Sequence, residues 1–282
     1  MPTYQADDGA GLHYNVLGHT GVPPLIVLAG GAGAHPDYLE DLAGLSQQHP
    51  LAVPHLRGVG RSSAADLVQR GTCWRQADDV DRLRVHLGME RCVLVAHSAG
   101  TRLAIAYAAQ HPDHLAALVF ITPPTSYLVD TPTDAAALVA GRMAEPVFAA
   151  AASAFAAGPD TSNDETFNAW QQACAPRGYA SWGTTEQRHA RSMWYSMTAA
   201  RAFLSGAAPA DLVDRLRAVQ APTLVVAGAQ DVTLGMAPVV AVAGLFPQGQ
   251  AAVIEDCGHF PWVERPDKFR DAVDPFLAQP LG

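Results

Sequence analysis

The sequence predicts an α/β fold, a mostly parallel central sheet with helices on both faces and a helical insertion. Three observations predict it. Short apolar runs of strand length alternate with segments of helical spacing, first over residues 25–121 and again over 211–277. The runs are apolar at consecutive positions, as strands buried on both faces are. Between the two stretches, residues from about 125 to 207 keep a helical period, rich in Ala, Trp and Met, without a convincing strand. The chain therefore divides into core residues 1–124, a helical cap over 125–207 and core residues 208–282. With 282 residues, 49% apolar and 16% charged, one large domain with an insertion can bury a sizeable core.

Taken in order, residues 3–17 alternate about Asp7-Asp8-Gly9-Ala10-Gly11, a hairpin signal. Leu25 to Ala29 is a continuous apolar strand that runs into Gly30-Gly31-Ala32-Gly33. A helix is expected from Pro36 or Asp37, with Tyr38, Leu39, Leu42 and Leu45 on one face. Leu51 to Leu56 reads as a strand, Cys92 to Val95 as another, and a helix follows to His111-Pro112, where proline stops it. Leu115 to Ile121 is a further buried strand. After the cap come a helix over Asp211–Val219, the strand Thr223–Ala227 and a helix near 236–245. The strand Ala251–Ile254 and a helix from Pro266 to Leu277 close the chain.

Charge and composition exclude several classes. The formal net charge is −9 and basic residues are scattered, so a nucleic-acid partner is not expected. Cys73, Cys92, Cys174 and Cys257 lie far apart without a CxxC pair, and read as free thiols rather than a zinc site or disulfide framework. No metal or cofactor is implied. No basic-then-apolar leader is visible, and no apolar run reaches the roughly 18 residues of a membrane span. These observations predict a cytoplasmic protein with a small-molecule partner and no membrane contact; they leave the oligomeric state open.

The chemistry centres on Ala96-His97-Ser98-Ala99-Gly100, between a strand and a helix. Small residues two positions either side of Ser98 let strand and helix approach around a sharp turn that presents the serine. A serine hydroxyl needs a base, and the base an orienting acid. Asp231 follows the strand Thr223–Ala227, and His259 follows Ala251–Ile254, so both leave the carboxyl ends of strands. His97 is a poor base, because adjacent strand residues point to opposite faces. Asp256 competes as the acid but lies only three residues from His259. An oxyanion would be met by the N–H of Ala99 and by one from the glycine loop, Gly31 first and Ala32 second. Gly30, His97 and Phe260 are expected in the substrate pocket. Arg188, Arg191, Met193, Trp194, Met197 and Arg201 sit at helical spacing; Trp194 and Met197 could simply pack, or could roof an apolar pocket.

On these motifs the chain resembles the α/β-hydrolase superfamily over nearly its whole length. Within it, the nearest likeness is the proline iminopeptidase-like branch, whose HGGPG loop corresponds to Ala29-Gly30-Gly31-Ala32-Gly33. Asp37-Tyr38-Leu39 and Arg57-Gly58-Val59-Gly60-Arg61-Ser62 extend the likeness. The resemblance implies a capped serine hydrolase without cofactor. Departures bear on substrate: Ala29 and Ala32 replace His and Pro of the loop, and His55 stands where the family carries Asp. Proline iminopeptidases hold the substrate's amino group with a Glu directly after the catalytic Asp and another in the cap. Here Val232 follows Asp231, and Trp170, Trp182 and Trp194 are followed by Gln171, Gly183 and Tyr195. Glu145, Glu165 and Glu186 are the cap carboxylates that could stand in. An ammonium buried without a partner costs several kcal/mol. The expected reaction is therefore hydrolysis of a small ester, lactone or thioester through an acyl-enzyme on Ser98, with His259 as base and Asp231 orienting it. Aminopeptidase activity, a lyase or cyclase reaction on the same triad, and a ligand-binding protein on this scaffold are the alternatives.

Overall fold

A computed structural model describes residues 2–19 and 21–279. Met1, Thr20 and residues 280–282, which the sequence assigns to the two core segments, lie outside them. Strands β1 (Thr3–Gln5), β2 (Gly11–Leu17), β3 (Leu25–Leu28), β4 (Leu51–Pro54), β5 (Cys92–His97), β6 (Leu115–Ile121), β7 (Thr223–Gly228) and β8 (Gly249–Ile254) form one sheet. Its order is β1-β2-β4-β3-β5-β6-β7-β8. β1 and β2 pair antiparallel, as do β2 and β4; every later pairing is parallel. The carboxyl ends of β3, β5, β6, β7 and β8 consequently share one edge, and the loops that leave it build the candidate site.

The helices are α1 (Leu67–Arg70), α2 (Cys73–His86), α3 (Gly100–Gln110), α4 (Ala135–Arg142), α5 (Pro146–Ala157), α6 (Asp164–Cys174), α7 (Thr184–Ser192), α8 (Met197–Leu204), α9 (Leu212–Arg217), α10 (Met236–Ala241), α11 (Pro261–Glu264) and α12 (Pro266–Leu277). β5 and β6 are continuously apolar because both faces of the sheet are covered. On one face Leu94, Ala96, Leu118 and Phe120 pack against Leu103, Ala104 and Tyr107 of α3 and Val80 and Leu83 of α2. On the other, Val95, Val119 and Ile121 pack with Tyr38, Leu39 and Leu42 and with Phe269 and Val273 of α12. Helices α4–α8 lie between β6 and β7 in the chain, within the residues 125–207 for which a helical insertion is expected.

Two elements differ from expectation. The segment after Pro36 is a single 3-10 turn, Pro36–Leu39, not a helix running on to Leu45. Glu40, Leu42 and Ala43 have positive φ, so the chain coils tightly while still burying Tyr38, Leu39, Leu42 and Leu45. Burial at helical spacing here reflects packing and not a helix. The strand at Leu51 ends at Pro54 instead of Leu56; beyond it Arg57 turns inward onto Asp79 and Asp8. That buried ion pair ties the N-terminal hairpin to α2. Arg57-Gly58-Val59-Gly60-Arg61-Ser62 thus holds architecture: Ser62 donates to the His55 carbonyl at 2.6 Å and accepts the His13 N–H at 2.9 Å.

Candidate active site

Ser98 follows β5 and precedes α3 with φ of +48°, a left-handed conformation that costs a residue with a side chain about 1–3 kcal/mol. The turn is held on both sides. Ser98 N–H donates to Ile121 O at 2.9 Å, and Thr101 Oγ donates to Ser98 O at 2.7 Å. Ala96, which replaces the glycine common at the head of such a turn, is fully buried with room for its methyl group.

The turns after β7 and β8 touch backbone to backbone. A Cβ on Gly228 would collide with Gly258 O, so glycine is required for this approach. It brings Asp231 against His259. His259 Nδ1 lies 2.7 Å from Asp231 Oδ2, and His259 Nε2 lies 2.8 Å from Ser98 Oγ. Because the carboxylate only accepts, Nδ1 carries the proton and Nε2 is left to accept from the serine hydroxyl. Asp231 is 1% exposed, and its other oxygen takes the Thr233 N–H at 2.8 Å. Asp256, the competing acid, is exposed and lies near Gln230 and Arg265.

Behind these side chains runs a buried relay. Gly30 N–H donates to Tyr38 Oη at 2.6 Å, Tyr38 Oη lies 2.8 Å from His97 Nδ1, and His97 Nε2 lies 3.0 Å from His259 O. A carbonyl only accepts, so His97 carries its proton on Nε2, and its Nδ1 accepts a hydrogen bond from the Tyr38 hydroxyl. Burial, with His259 nearby, pushes the His97 pKa well below the usual imidazole value, which keeps the ring neutral. His97 therefore supports the base's backbone, and its ring nitrogens are both engaged. Glu264 braces the same loop, taking the N–H groups of Gly258 at 3.0 Å and Phe260 at 3.4 Å, and that of Ala180 at 2.6 Å. Burial raises its carboxyl pKa to about 7.

A cleft of about 190 Å³ opens over Ser98 and His259. Gly31, His97 and Phe260 border it, as expected from the sequence. Gly31 has φ of +65° and the Tyr195 ring presses on it, so no side chain fits. The N–H groups of Gly31, Ala32 and Ala99 meet no protein acceptor among the described residues; of the three only Gly31 borders the cleft, Ala32 being buried and Ala99 half-buried. Gly30, Trp194 and Met197 do not line it. Gly30 is buried behind the loop against Tyr38. Trp194 and Met197 are displaced because the expected helical run is broken: α7 ends at Ser192, α8 begins at Met197, and the residues between are extended. Tyr195 forms a bridge with Ala34. In extended chain neighbours alternate, so Met193 and Tyr195 face the cleft while Trp194 points outward, 54% exposed. The remaining wall includes Phe155, Trp170, Gln171, Cys174, Arg177 and Tyr179 from the insertion, together with Thr233. Sequence reasoning missed Arg177 and Tyr179; the Pro176-Arg177-Gly178 turn signal was present, but its neighbour in space was not.

A family model described as alpha/beta hydrolase fold matches residues 23–266. The chain belongs to the α/β-hydrolase fold family. A proline iminopeptidase of Xylella fastidiosa (strain 9a5c) is 31% identical over 113 residues, 40% of this chain and 36% of that protein. The chain thus matches little more than a third of this curated relative's length. Among solved structures, a thermophilic esterase from Thermogutta terrifontis aligns with a TM-score of 0.72 at 24% identity, over 98% of this chain and 97% of the other. Est816, described as an N-acyl homoserine lactone degrading enzyme, aligns with a TM-score of 0.63 at 25% identity, over 98% of this chain and 100% of its own. No helix among the described residues is long and apolar enough to cross a membrane.

Proposed function

We propose that this chain is a serine hydrolase that cleaves small carboxylic esters through an acyl-enzyme. The observation that carries the reading is the unbroken chain Ser98 Oγ to His259 Nε2 at 2.8 Å and His259 Nδ1 to Asp231 Oδ2 at 2.7 Å, opening on a cleft. Ser98 Oγ attacks the ester carbonyl while its proton passes to His259 Nε2. The imidazolium is stabilised by Asp231, and the oxyanion by the N–H groups of Gly31 and Ala99, with Ala32 in reserve. His259 then protonates the departing alkoxide. Water, deprotonated by the same imidazole, attacks the acyl-serine and releases the acid.

An ester is favoured over an amino-terminal peptide bond by the charge of the wall. No Asp or Glu borders the cleft, and the one formal charge of the insertion there is the cation Arg177. Of the carboxylates that could grip an ammonium, Glu145 pairs with Arg142, Glu186 caps α7 through the Gly183 N–H, and Glu165 is exposed. At about 190 Å³ the cleft falls below the roughly 300–1,000 Å³ of drug-sized pockets, which suits a small substrate. A panel of 4-nitrophenyl esters beside Pro-, Ala- and Leu-4-nitroanilides tests this. Turnover of short esters without anilides is expected; faster turnover of Pro-anilide than of any ester would overturn it.

A further inference from the structure

The cleft contains a charge that the proposed reaction does not use. Arg177 sits in the turn Ala175–Gly178, within the insertion, and borders the cleft beside Gly178 and Tyr179. Its guanidinium lies over the Phe155 ring, 3.7 Å from the centroid. Stacking of this kind covers one face of the plane and leaves the N–H edge available. Arg177 makes no hydrogen bond and no ion pair among the described residues. Arg142, in the same insertion, is by contrast tied to Glu145 and to the Tyr179 carbonyl. Burial lowers the Arg177 pKa from the ordinary guanidinium value, while the charge of Asp231 acts in the opposite direction.

A partly buried cation without a counter-ion is costly to desolvate further, and substrate entry would do that unless the substrate brings a negative charge. Nothing else in the wall supplies one. The buried Asp231 carboxylate is occupied by His259 and the Thr233 N–H, and, Arg177 apart, the polar groups that border the cleft are amides, hydroxyls, the Cys174 thiol and the imidazoles of His97 and His259. The position of Arg177 is also fixed relative to the chemistry: the adjoining residue, Gly178, accepts the His259 N–H at 2.8 Å. A planar fork that borders the same cleft as Ser98 matches a carboxylate, which it can grip by two parallel hydrogen bonds.

This inference rests on the hydrolase reading above. We propose that Arg177 recognises a free carboxylate on the substrate, so that the cleft takes small half-esters of dicarboxylic acids. The reaction is unchanged: water is added across the ester bond, and the products are the alcohol and the dicarboxylate. The second carboxylate takes no part in bond making and serves as the handle.

The test compares mono-4-nitrophenyl glutarate, adipate and pimelate with the same esters capped by a methyl group on the second carboxyl. In the wild-type protein at least one half-ester is expected to exceed its capped counterpart in kcat/KM by about tenfold or more, as charge-assisted hydrogen bonds allow. In Arg177→Gln that ratio should fall to about one, and Arg177→Lys should retain part of it through its single point charge. Capped esters that equal or beat all three half-esters in the wild type would overturn the proposal. So would a ratio unmoved by Arg177→Gln. A Ser98→Ala control separates the two readings: if it hydrolyses both ester series at the wild-type rate, the hydrolase reading fails, whatever Arg177 does. Labelling of Ser98 by a neutral fluorophosphonate adds a readout independent of turnover. Adipate should slow labelling of the wild type and not of Arg177→Gln; equal slowing of both would count against the proposal.

Discussion

The two walls of the cleft are built differently. The sheet side presents Ser98 and His259, backed by the buried Asp231, from three turns, each clamped by hydrogen bonds of 2.7–2.9 Å to its neighbours or to the adjoining strand. The insertion side presents Phe155, Trp170, Met193, Tyr195 and one cation in ring and apolar contact, with Trp170 Nε1 donating to Ala154 O at 2.9 Å and Asn168 Nδ2 to Tyr195 O at 2.8 Å. Directional bonds give the first wall the sub-ångström placement that proton transfer needs. The second wall contributes shape and the one cation, Arg177. On the reading proposed above, bond making falls to the sheet side and substrate choice to the other; the two are joined through Gly178 O to His259 N and through Ala180 N to Glu264.

Substitutions can break this contrast in order of size. Ser98→Ala should abolish fluorophosphonate labelling and lower kcat by at least about 10⁴-fold while leaving the far-UV circular dichroism spectrum intact. Undiminished labelling would remove Ser98 from the chemistry. Gly31→Ala comes next. The new Cβ meets the Tyr195 ring and sits at positive φ, so the loop must shift. With the proposed oxyanion donor displaced, kcat should drop by about 10²-fold with little change in KM. Measured steady-state kinetics showing only a KM effect would instead make Gly31 part of the binding wall.

Changes on the insertion side should be smaller and fall elsewhere. Met193→Ala should raise KM for apolar esters about fivefold with kcat little affected, the counterpart of about 1 kcal/mol of apolar contact. A dominant fall in kcat would erase the proposed division of labour. The smallest effect concerns the joint between the walls. Glu264 has a folded pKa of about 7 against an ordinary value of 4.5, so the folded state holds its proton more tightly than the unfolded state. Its protonated form therefore stabilises the fold fully below about pH 4.5, and that contribution is lost as pH rises toward 7. Glu264→Gln should flatten the decline over this window in thermal melts at stepped pH. A decline equally steep in both proteins would assign it to other groups.

Buried hydrogen bonding also separates the two histidines that lie beside Ser98. His97 and His259 both neighbour the serine, one in sequence and one through the fold. His97 has both ring nitrogens taken, by Tyr38 and by the His259 carbonyl, and its ring is desolvated and neutral. His259 keeps Nε2 directed at Ser98. The opposing directions of consecutive strand residues foretold this outcome for His97, though its partner Tyr38 comes from a turn that the helical spacing of apolar residues misrepresented.

By itself the sequence determined the alternation of strands and helices, the strand-free helical stretch between β6 and β7, and the turn residues that end β5, β7 and β8. These are local matters: apolar runs, small residues beside Ser98, and glycines at close approaches act within a few positions of one another. Tertiary structure alone decided which insertion residues face Ser98. Met193, Trp194 and Tyr195 are neighbours in the chain, yet the bridge from Tyr195 to Ala34 makes the segment extended and turns Trp194 outward. The order of residues 193–195 carries no record of that pairing, because a segment's period is set by the strand or loop it meets. Arg177 is the same case: its turn is legible, but its position over Phe155 and beside His259 exists only once the insertion has folded onto the sheet.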